Sequence, residues 1–142
     1  MNECPLCLQG NEILVHRGND LRVILVDDRD YPGYCRVIWN AHVAEMTDLS
    51  PAQITRLMDA VFAVEDAQRA ILKPEKINLA SLGNVVPHLH WHVIPRFADD
   101  AHFPLSIWGA RQRAPDAGRL AGRHAQLAAL GAAIAARLAA AG

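Results

Sequence analysis

Three histidines alternate with apolar residues in the segment 88–94, whose sequence is HLHWHVI. Alternate side chains of a β-strand point to the same face, so a strand here would place His88, His90 and His92 together. The intervening apolar side chains would then face the core. A row of three imidazoles costs core burial and requires polar partners, so these histidines predict a functional site. A solvated polar face is the simpler alternative.

Two kinds of chemistry suit this row of imidazoles. Histidines at positions i and i+2 of a strand can bind one divalent ion, and imidazole is a common ligand of zinc, iron and copper. A neutral imidazole nitrogen can instead attack phosphorus and form a covalent phosphoramidate, while its neighbours donate to phosphate oxygens or to the leaving group. Histidine suits both uses because it titrates near neutral pH. The spacing alone leaves the two alternatives open.

A second candidate site lies near the beginning of the chain, where Cys4 and Cys7 form a C-x-x-C pair. In a reducing compartment such a pair indicates metal ligands or a redox pair rather than a structural disulfide. One pair supplies half of the ligands of a structural zinc ion. A thioredoxin-like role is disfavoured because no helix of a βαβ unit follows the pair. Two small buried residues are the simplest alternative.

The elements that must position these residues begin with strands. Five apolar or β-branched segments predict strands at 12–16, 21–27, 35–40, 76–81 and 89–94. The connection between the second and third strands is rich in Asp and contains a Pro-Gly step, which is typical of a turn between paired strands.

A long helix is predicted between the third and fourth strands. Ser50 is a good N-cap, Pro51 suits the first helical position and Gln53 completes a capping box, while Pro74 ends the apolar pattern. The predicted order is therefore β-β-β-α-β-β-α. Short connections between strands favour an antiparallel sheet, so we expect the α+β class.

The last third of the chain has a different composition. Segment 98–116 contains several Pro, Gly and Arg residues and predicts irregular chain on the surface. Segment 118–141 is rich in alanine and carries one apolar stripe, which predicts a single packing helix. We expect one domain over residues 1–142, with a core of about 1–97 and a C-terminal extension at 98–142.

Composition excludes several classes of protein. Hydrophobic residues make up 51% of the 142 residues, which is enough for a core and excludes a disordered chain. The formal net charge of −1 argues against a protein that binds nucleic acid by broad phosphate neutralisation. Because no stretch reaches the roughly 20 apolar residues of a membrane span, and the first ten residues lack a signal-peptide pattern, we expect a cytoplasmic protein with no membrane partner.

The flanks of the histidine segment carry a resemblance to a known family. Segment 88–94 matches in full the His-φ-His-φ-His-φ-φ signature of the histidine triad (HIT) superfamily, in which φ is apolar. Pro95 and Arg96 follow as in many members, and the segment 37–42 resembles the family's strand ending in Val-Ile-Pro with its trailing histidine. The resemblance covers roughly residues 1–97. It implies a half-barrel of five antiparallel strands with the long helix packed on the sheet, in a homodimer.

The resemblance also implies an activity. HIT enzymes hydrolyse or transfer nucleoside monophosphates, typically AMP, from dinucleoside polyphosphates, nucleoside phosphoramidates or acyl adenylates. By position His90 matches the nucleophile that forms a nucleotidyl–histidine intermediate, and His92 matches the histidine that contacts the phosphate and assists the leaving group. We expect the backbone carbonyl of His92 to accept from the other ring nitrogen of His90. His88 matches the outer histidine, which orients the site or binds metal.

Other positions match the family's substrate-binding residues. Asn78 and Asn84 match polar residues that hold the phosphate, and Asp27 is expected to bind the ribose hydroxyls of a purine nucleotide, with Asp28 as the alternative. Two positions depart from the family pattern. Tyr34 stands where many members have a histidine of the catalytic relay, and Asn84 replaces the usual glutamine.

The resemblance gives the cysteine pair a specific interpretation. In some HIT proteins and in the related galactose-1-phosphate uridylyltransferases, two histidines complete a structural zinc site. The matching positions predict a zinc ion held by Cys4, Cys7, His42 and His88, with no cofactor required for the chemistry itself. Two alternatives to the nucleotidyl enzyme are a nucleotide-binding regulatory protein with little turnover and a metal-dependent enzyme that uses the triad.

Overall fold

The computed structural model describes residues 4–141, and its elements follow the predicted order with two helices added. Within these residues the strands are β1 (Ile13–Arg17), β2 (Leu21–Leu25), β3 (Cys35–Trp39), β4 (Lys76–Ala80) and β5 (His90–Arg96). The helices are α1 (Pro5–Leu8), α2 (Pro51–Leu72), α3 (Ala117–His124) and α4 (Leu127–Ala141), with a 3₁₀ turn at Met46–Asp48. The α+β class is confirmed.

All five strands form one antiparallel sheet in the order β1-β2-β3-β5-β4. Strand β5 lies between β3 and β4, so His92 pairs with Arg36 on one side and with Ala80 on the other. The predicted five-stranded antiparallel sheet with a long helix packed on it is therefore confirmed. The predicted turn joins β2 to β3, and Gly33 within it adopts a φ of 90°, which favours glycine.

The two faces of the sheet have different coverings. Val23, Val37 and Val93 are fully buried on one face, in a core that they share with α2 and α4. The other face carries the triad and is covered by α1 and by the irregular chain after β5, through contacts such as Leu6 with Ile38. The polar site therefore lies between this face of the sheet, the short helix α1 and the irregular chain after β5.

Helix α2 begins and ends as predicted. The Ser50 side chain accepts from the backbone N–H of Gln53, and the Gln53 side chain accepts in return from the backbone N–H of Ser50. Gln68, on the buried face of α2, donates to the backbone carbonyls of Gly33 and Val93 at 2.8 and 2.9 Å. These two hydrogen bonds connect the helix to the turn before β3 and to β5.

Two local predictions are corrected. The chain contains the helix α1 at Pro5–Leu8, which no periodic pattern predicts because it is a single turn. The predicted single C-terminal helix is two helices, α3 and α4, which are separated at Ala125. Arg123 of α3 binds Asp99 at 2.7 Å, whereas α4 buries its apolar stripe against α2, so the two halves follow different surfaces.

The irregular chain after β5 is held by one buried ion pair. Arg96 binds Asp100 at 2.8 Å with both side chains at most 2% exposed, and Arg96 also donates to the carbonyl of Leu105 at 2.7 Å. Asp100 accepts from the backbone N–H groups of Phe97 and Phe103. Between residues 4 and 141 no helix is both long and apolar enough to cross a lipid bilayer.

Candidate functional site

The triad segment lies on and just before β5, next to the edge strand β4, and is buried. His90 and His92 are 8% and 6% exposed on one face of β5, and His88, just before the strand, is 0% exposed. On the opposite face Leu89 and Val93 belong to the core under α2. The alternation of polar and apolar faces is thus as predicted. The alternative of a solvated histidine face is wrong, since all three imidazoles are withdrawn from water.

One hydrogen bond determines which nitrogen of His90 carries hydrogen and which keeps a lone pair. Nδ1 of His90 lies 2.5 Å from the backbone carbonyl oxygen of His88, so Nδ1–H donates and Nε2 keeps its lone pair. The prediction that the carbonyl of His92 accepts this hydrogen bond is wrong. His92 pairs with both neighbouring strands, whereas His88 precedes β5 and its carbonyl is available to the ring. Burial is the main cause of the lowered pKa of His90, which favours the neutral imidazole.

His92 has the opposite arrangement of ring nitrogens. The Tyr34 hydroxyl lies 2.5 Å from Nδ1 of His92, and burial raises the pKa of Tyr34, so the phenol keeps its proton and donates it. Nε2 of His92 therefore carries hydrogen and is a donor. Burial, followed by the neighbouring charges of His90 and Arg36, lowers the pKa of His92 to about 4. The site thus combines an acceptor nitrogen on His90 with a donor nitrogen on His92.

A cavity of about 450 Å³ lies against these two histidines. Asn84 lines it, so the structure brings this predicted phosphate-binding residue together with His90 and His92. Leu6 of α1 and Trp108 of the irregular chain form parts of its walls. His90 also lines a second cavity of about 310 Å³.

The other predicted substrate-binding residues do not line the cavity at His90 and His92. Asn78 is on β4, and its side-chain oxygen accepts from Arg96 at 2.7 Å. Asp27 is exposed and Asp28 is half-buried, and both line a different cavity, against α4. Neither lines the cavity at His90 and His92. Asp28 lies close enough to Tyr34 to add to the rise that burial causes in the pKa of that tyrosine.

The four predicted metal ligands form one cluster. The ligand atoms of Cys4, Cys7, His42 and His88 all lie within 4.8 Å of one another. Nδ1 of His88 is 3.4 Å from each cysteine sulfur and 3.2 Å from Nδ1 of His42, and the Cys7 sulfur is 3.4 Å from that same nitrogen. Segments 84 residues apart in the chain therefore meet at this point.

These distances fit a tetrahedral zinc ion. Zinc bonds of about 2.0 Å to nitrogen and 2.3 Å to sulfur place neighbouring ligand atoms about 3.3–3.8 Å apart. Nε2–H of His88 donates to the carbonyl of Trp39 at 2.6 Å, which leaves Nδ1 free to ligate and orients the ring. Neither His90 nor His92 joins a cluster of metal-ligating side chains anywhere in residues 4–141.

Sequence reasoning does not identify one residue of the cavity, Arg36. The signal is a charged residue within the apolar strand segment 35–39, which is also compatible with a solvent-facing position. Only the pairing of β3 with β5 places Arg36 directly opposite His92. Trp108 is similarly placed by tertiary structure, with its ring centroid 5.2 Å from that of His92.

The chain belongs to the histidine triad family, because the family model described as HIT domain matches residues 10–99. A curated relative, the AP-4-A phosphorylase of Mycobacterium tuberculosis, is 26% identical over 115 residues, which are 77% of this chain. The chain covers only 59% of that relative's length.

Solved structures agree with this assignment. A histidine triad protein from Bradyrhizobium japonicum is 31% identical and superposes with a TM-score of 0.69, over 86% of this chain and 92% of the other. A zinc-bound histidine triad family protein from Mycobacterium smegmatis is 25% identical with a TM-score of 0.67, over 99% of this chain and 98% of the other.

Proposed function

We propose that this protein is a nucleotidyl hydrolase or transferase that forms a covalent nucleotidyl–histidine intermediate on His90. The observation that carries the proposal is the hydrogen bond from Nδ1–H of His90 to the carbonyl of His88, because it leaves Nε2 as an unprotonated nucleophile beside a cavity. The name of the mycobacterial relative, AP-4-A phosphorylase, supports dinucleoside polyphosphates as the substrate class.

The proposed reaction has two steps. The lone pair on Nε2 of His90 attacks the phosphorus of the nucleoside monophosphate group, and the bond from phosphorus to the leaving group breaks. Nε2–H of His92 donates to the phosphoryl oxygen or to the departing atom. In the second step water, or inorganic phosphate in a phosphorylase, attacks the same phosphorus. The bond from phosphorus to nitrogen then breaks and His90 is regenerated.

Asn84 is the best candidate for the phosphate-binding amide, since it shares the cavity with both histidines. Asn78 is a positioning residue in this proposal, because its oxygen is engaged by Arg96. For the ribose hydroxyls we favour Asp28 over Asp27, because Asp28 lies close enough to Tyr34 to raise its pKa and the Tyr34 hydroxyl binds His92. A carboxylate that accepts from two vicinal hydroxyls is the common solution for ribose recognition.

A direct test measures the products of diadenosine tetraphosphate. The intact protein should release AMP, and acid-quenched reactions should contain a protein-bound adenylate. His90→Ala should form neither, whereas His124→Ala, which removes an exposed histidine of α3, should react as the intact protein does. Full turnover by His90→Ala would exclude the covalent mechanism. Product analysis with and without inorganic phosphate separates hydrolysis from phosphorolysis.

A nucleotide-binding protein with little turnover is the second candidate. Tyr34 in place of a relay histidine favours it, because tyrosine does not exchange protons readily near neutral pH. AMP binding without release of product from diadenosine tetraphosphate would support this alternative.

We also propose a structural zinc ion held by Cys4, Cys7, His42 and His88. Four thiolate and imidazole donors at tetrahedral spacing support it, as does the zinc-bound relative. Elemental analysis should find one zinc per chain, and Cys4→Ser and His42→Ala should each reduce that content strongly. His92→Ala is the matched control and should retain the metal. Loss of zinc in His92→Ala alone would contradict this site.

A further inference from the structure

Arg36 is the one permanently charged side chain among the described residues that line the 450 Å³ cavity. It is the second residue of β3 and is directly opposite His92 in the sheet. Its guanidinium lies over the ring of Tyr34, whose hydroxyl binds His92. The charge is permanent because arginine does not lose its proton in proteins.

Two other arginines of the sheet are buried, and each forms an ion pair with a carboxylate. Arg22 binds the carboxylate of Glu12, and Arg96 binds Asp100. Arg36 is half-buried, and no carboxylate in residues 4–141 forms an ion pair with it. A charge that is partly removed from water without an anionic partner is unfavourable, so its retention needs an explanation.

The contacts that Arg36 does make leave part of its hydrogen-bonding capacity unused. Its guanidinium carbon lies 5.8 Å from the centroid of the Tyr34 ring, which is a cation–π distance. Its Nε atom is buried and has no acceptor among the described residues. The guanidinium also interacts with the Tyr34 hydroxyl through its charge and a side-chain hydrogen bond, and that hydroxyl binds His92. A guanidinium has five N–H donors, so others are left for a further ligand.

We propose that Arg36 binds the phosphate oxygens of the nucleotide held at His90. The inference rests on the proposed function and extends it by assigning the anion-binding charge of the site. Neutral imidazoles and amides can donate to a phosphate but cannot balance its charge. A guanidinium donates from two nitrogens to two phosphate oxygens and suits this task. Arg36 therefore selects a phosphorylated nucleoside over the free nucleoside.

The test compares the binding of AMP and adenosine by calorimetry. Arg36→Met keeps the length of the aliphatic stem and removes the charge, and should raise the Kd of AMP by about 10- to 100-fold. The Kd of adenosine should stay within about twofold, since the nucleoside has no phosphate. Arg36→Lys should give an intermediate Kd for AMP. Arg137→Met, at a half-buried arginine of α4 that does not line the cavity, is the matched control and should bind both ligands normally.

Two outcomes would overturn the assignment. AMP affinity that is unchanged in Arg36→Met would show that the phosphate does not need this charge. Equal losses of AMP and adenosine affinity in both Arg36 variants would show that the residue only supports the cavity through Tyr34. Both outcomes are independent of turnover. If the intact protein cleaves diadenosine tetraphosphate but Arg36→Met binds AMP normally, the proposed function stands and the inference about Arg36 fails. If Arg36→Met loses affinity for AMP but not for adenosine, and the intact protein shows no turnover, the inference about Arg36 stands and the proposed enzymatic function fails.

Discussion

At the scale of single residues, two hydrogen bonds give neighbouring histidines opposite roles. The carbonyl of His88 accepts from Nδ1–H of His90, and the hydroxyl of Tyr34 donates to Nδ1 of His92. One imidazole therefore presents a lone pair and the next presents a hydrogen. Tyrosine in place of the family's relay histidine keeps the hydrogen bond to His92 even though it does not relay protons near neutral pH.

Removal of the Tyr34 hydroxyl tests this assignment. We expect Tyr34→Phe to lower kcat/KM for a nucleotide substrate by about tenfold, because His92 loses the donor that selects its ring tautomer. Tyr31→Phe is the matched control: Tyr31 is also buried, but its hydroxyl binds Asp100. Steady-state kinetics of the two variants measure the difference. Equal kinetics of Tyr34→Phe and the intact protein would contradict the role of the hydroxyl.

At the scale of elements, the irregular chain after β5 is part of the site rather than a loose extension. The Arg96–Asp100 pair holds this segment on the triad face, and Trp108 then lies beside His92. Burial alone would raise the pKa of Asp100. Hydrogen bonds from Arg96 and from the backbone N–H groups of Phe97, His102 and Phe103 outweigh it and lower the pKa from 3.8 to about 2.

The depressed pKa of Asp100 predicts a dependence of stability on pH. A carboxylate with a lowered folded-state pKa stabilises the protein above the unfolded value, and this contribution disappears as pH falls through the folded value. We expect Asp100 to contribute about 2 kcal/mol above pH ~4, lost progressively towards pH ~2. Arg96 and Tyr31 are the ionisable side chains bonded to it.

Urea unfolding of Asp100→Asn measures this contribution. The variant should be about 3 kcal/mol less stable near neutral pH, because a buried guanidinium loses its charged partner. It should also lose part of the decline in stability between pH 4 and 2. Asp66→Asn removes the carboxylate of an exposed pair, and we expect little change there. Identical pH profiles of Asp100→Asn and the intact protein would contradict the prediction.

At the scale of the whole molecule, the Cys/His cluster joins distant parts of the chain. It links α1 and its N-cap, the chain after β3 and the segment just before β5. His88 belongs to this cluster through Nδ1 and to the reactive site through its carbonyl. Leu6 of α1 lines the cavity beside the histidines. A metal in the cluster would thus support both the fold and one wall of the cavity.

Metal removal should therefore affect stability and binding together. We expect a chelator to lower Tm by about 10 °C and to weaken AMP binding, because α1 loses its attachment to the sheet. Calorimetry before and after chelation, with zinc added back as the control, measures both quantities. A chelated protein with the original Tm and AMP affinity would show that the cluster is not structural.

The homodimer that the resemblance implies stays a prediction. Strands β1 and β4 are the edges of the sheet, and Val85 and Leu82, which follow β4, are 94% and 55% exposed. Sedimentation equilibrium should give twice the mass of one chain. A monomeric mass across the micromolar range would contradict the dimer.

Much of the fold follows from rules that act over a few residues. The alternation in segment 88–94, the capping box of α2 and the turn between β2 and β3 were predicted because period and capping depend on local sequence. The predicted single C-terminal helix failed for the opposite reason. Its alanine-rich sequence favours helix throughout, and only the separate contacts of α3 and α4 divide it.

The sequence by itself determined the antiparallel α+β framework, the row of histidines and, through the family resemblance, the four side chains of the Cys/His cluster. Tertiary structure alone decided that the carbonyl of His88 binds His90 and that Arg36 pairs with His92 across the sheet. The physical reason is that periodicity encodes which face a side chain occupies. Which strands become neighbours depends on pairing between residues far apart in the chain.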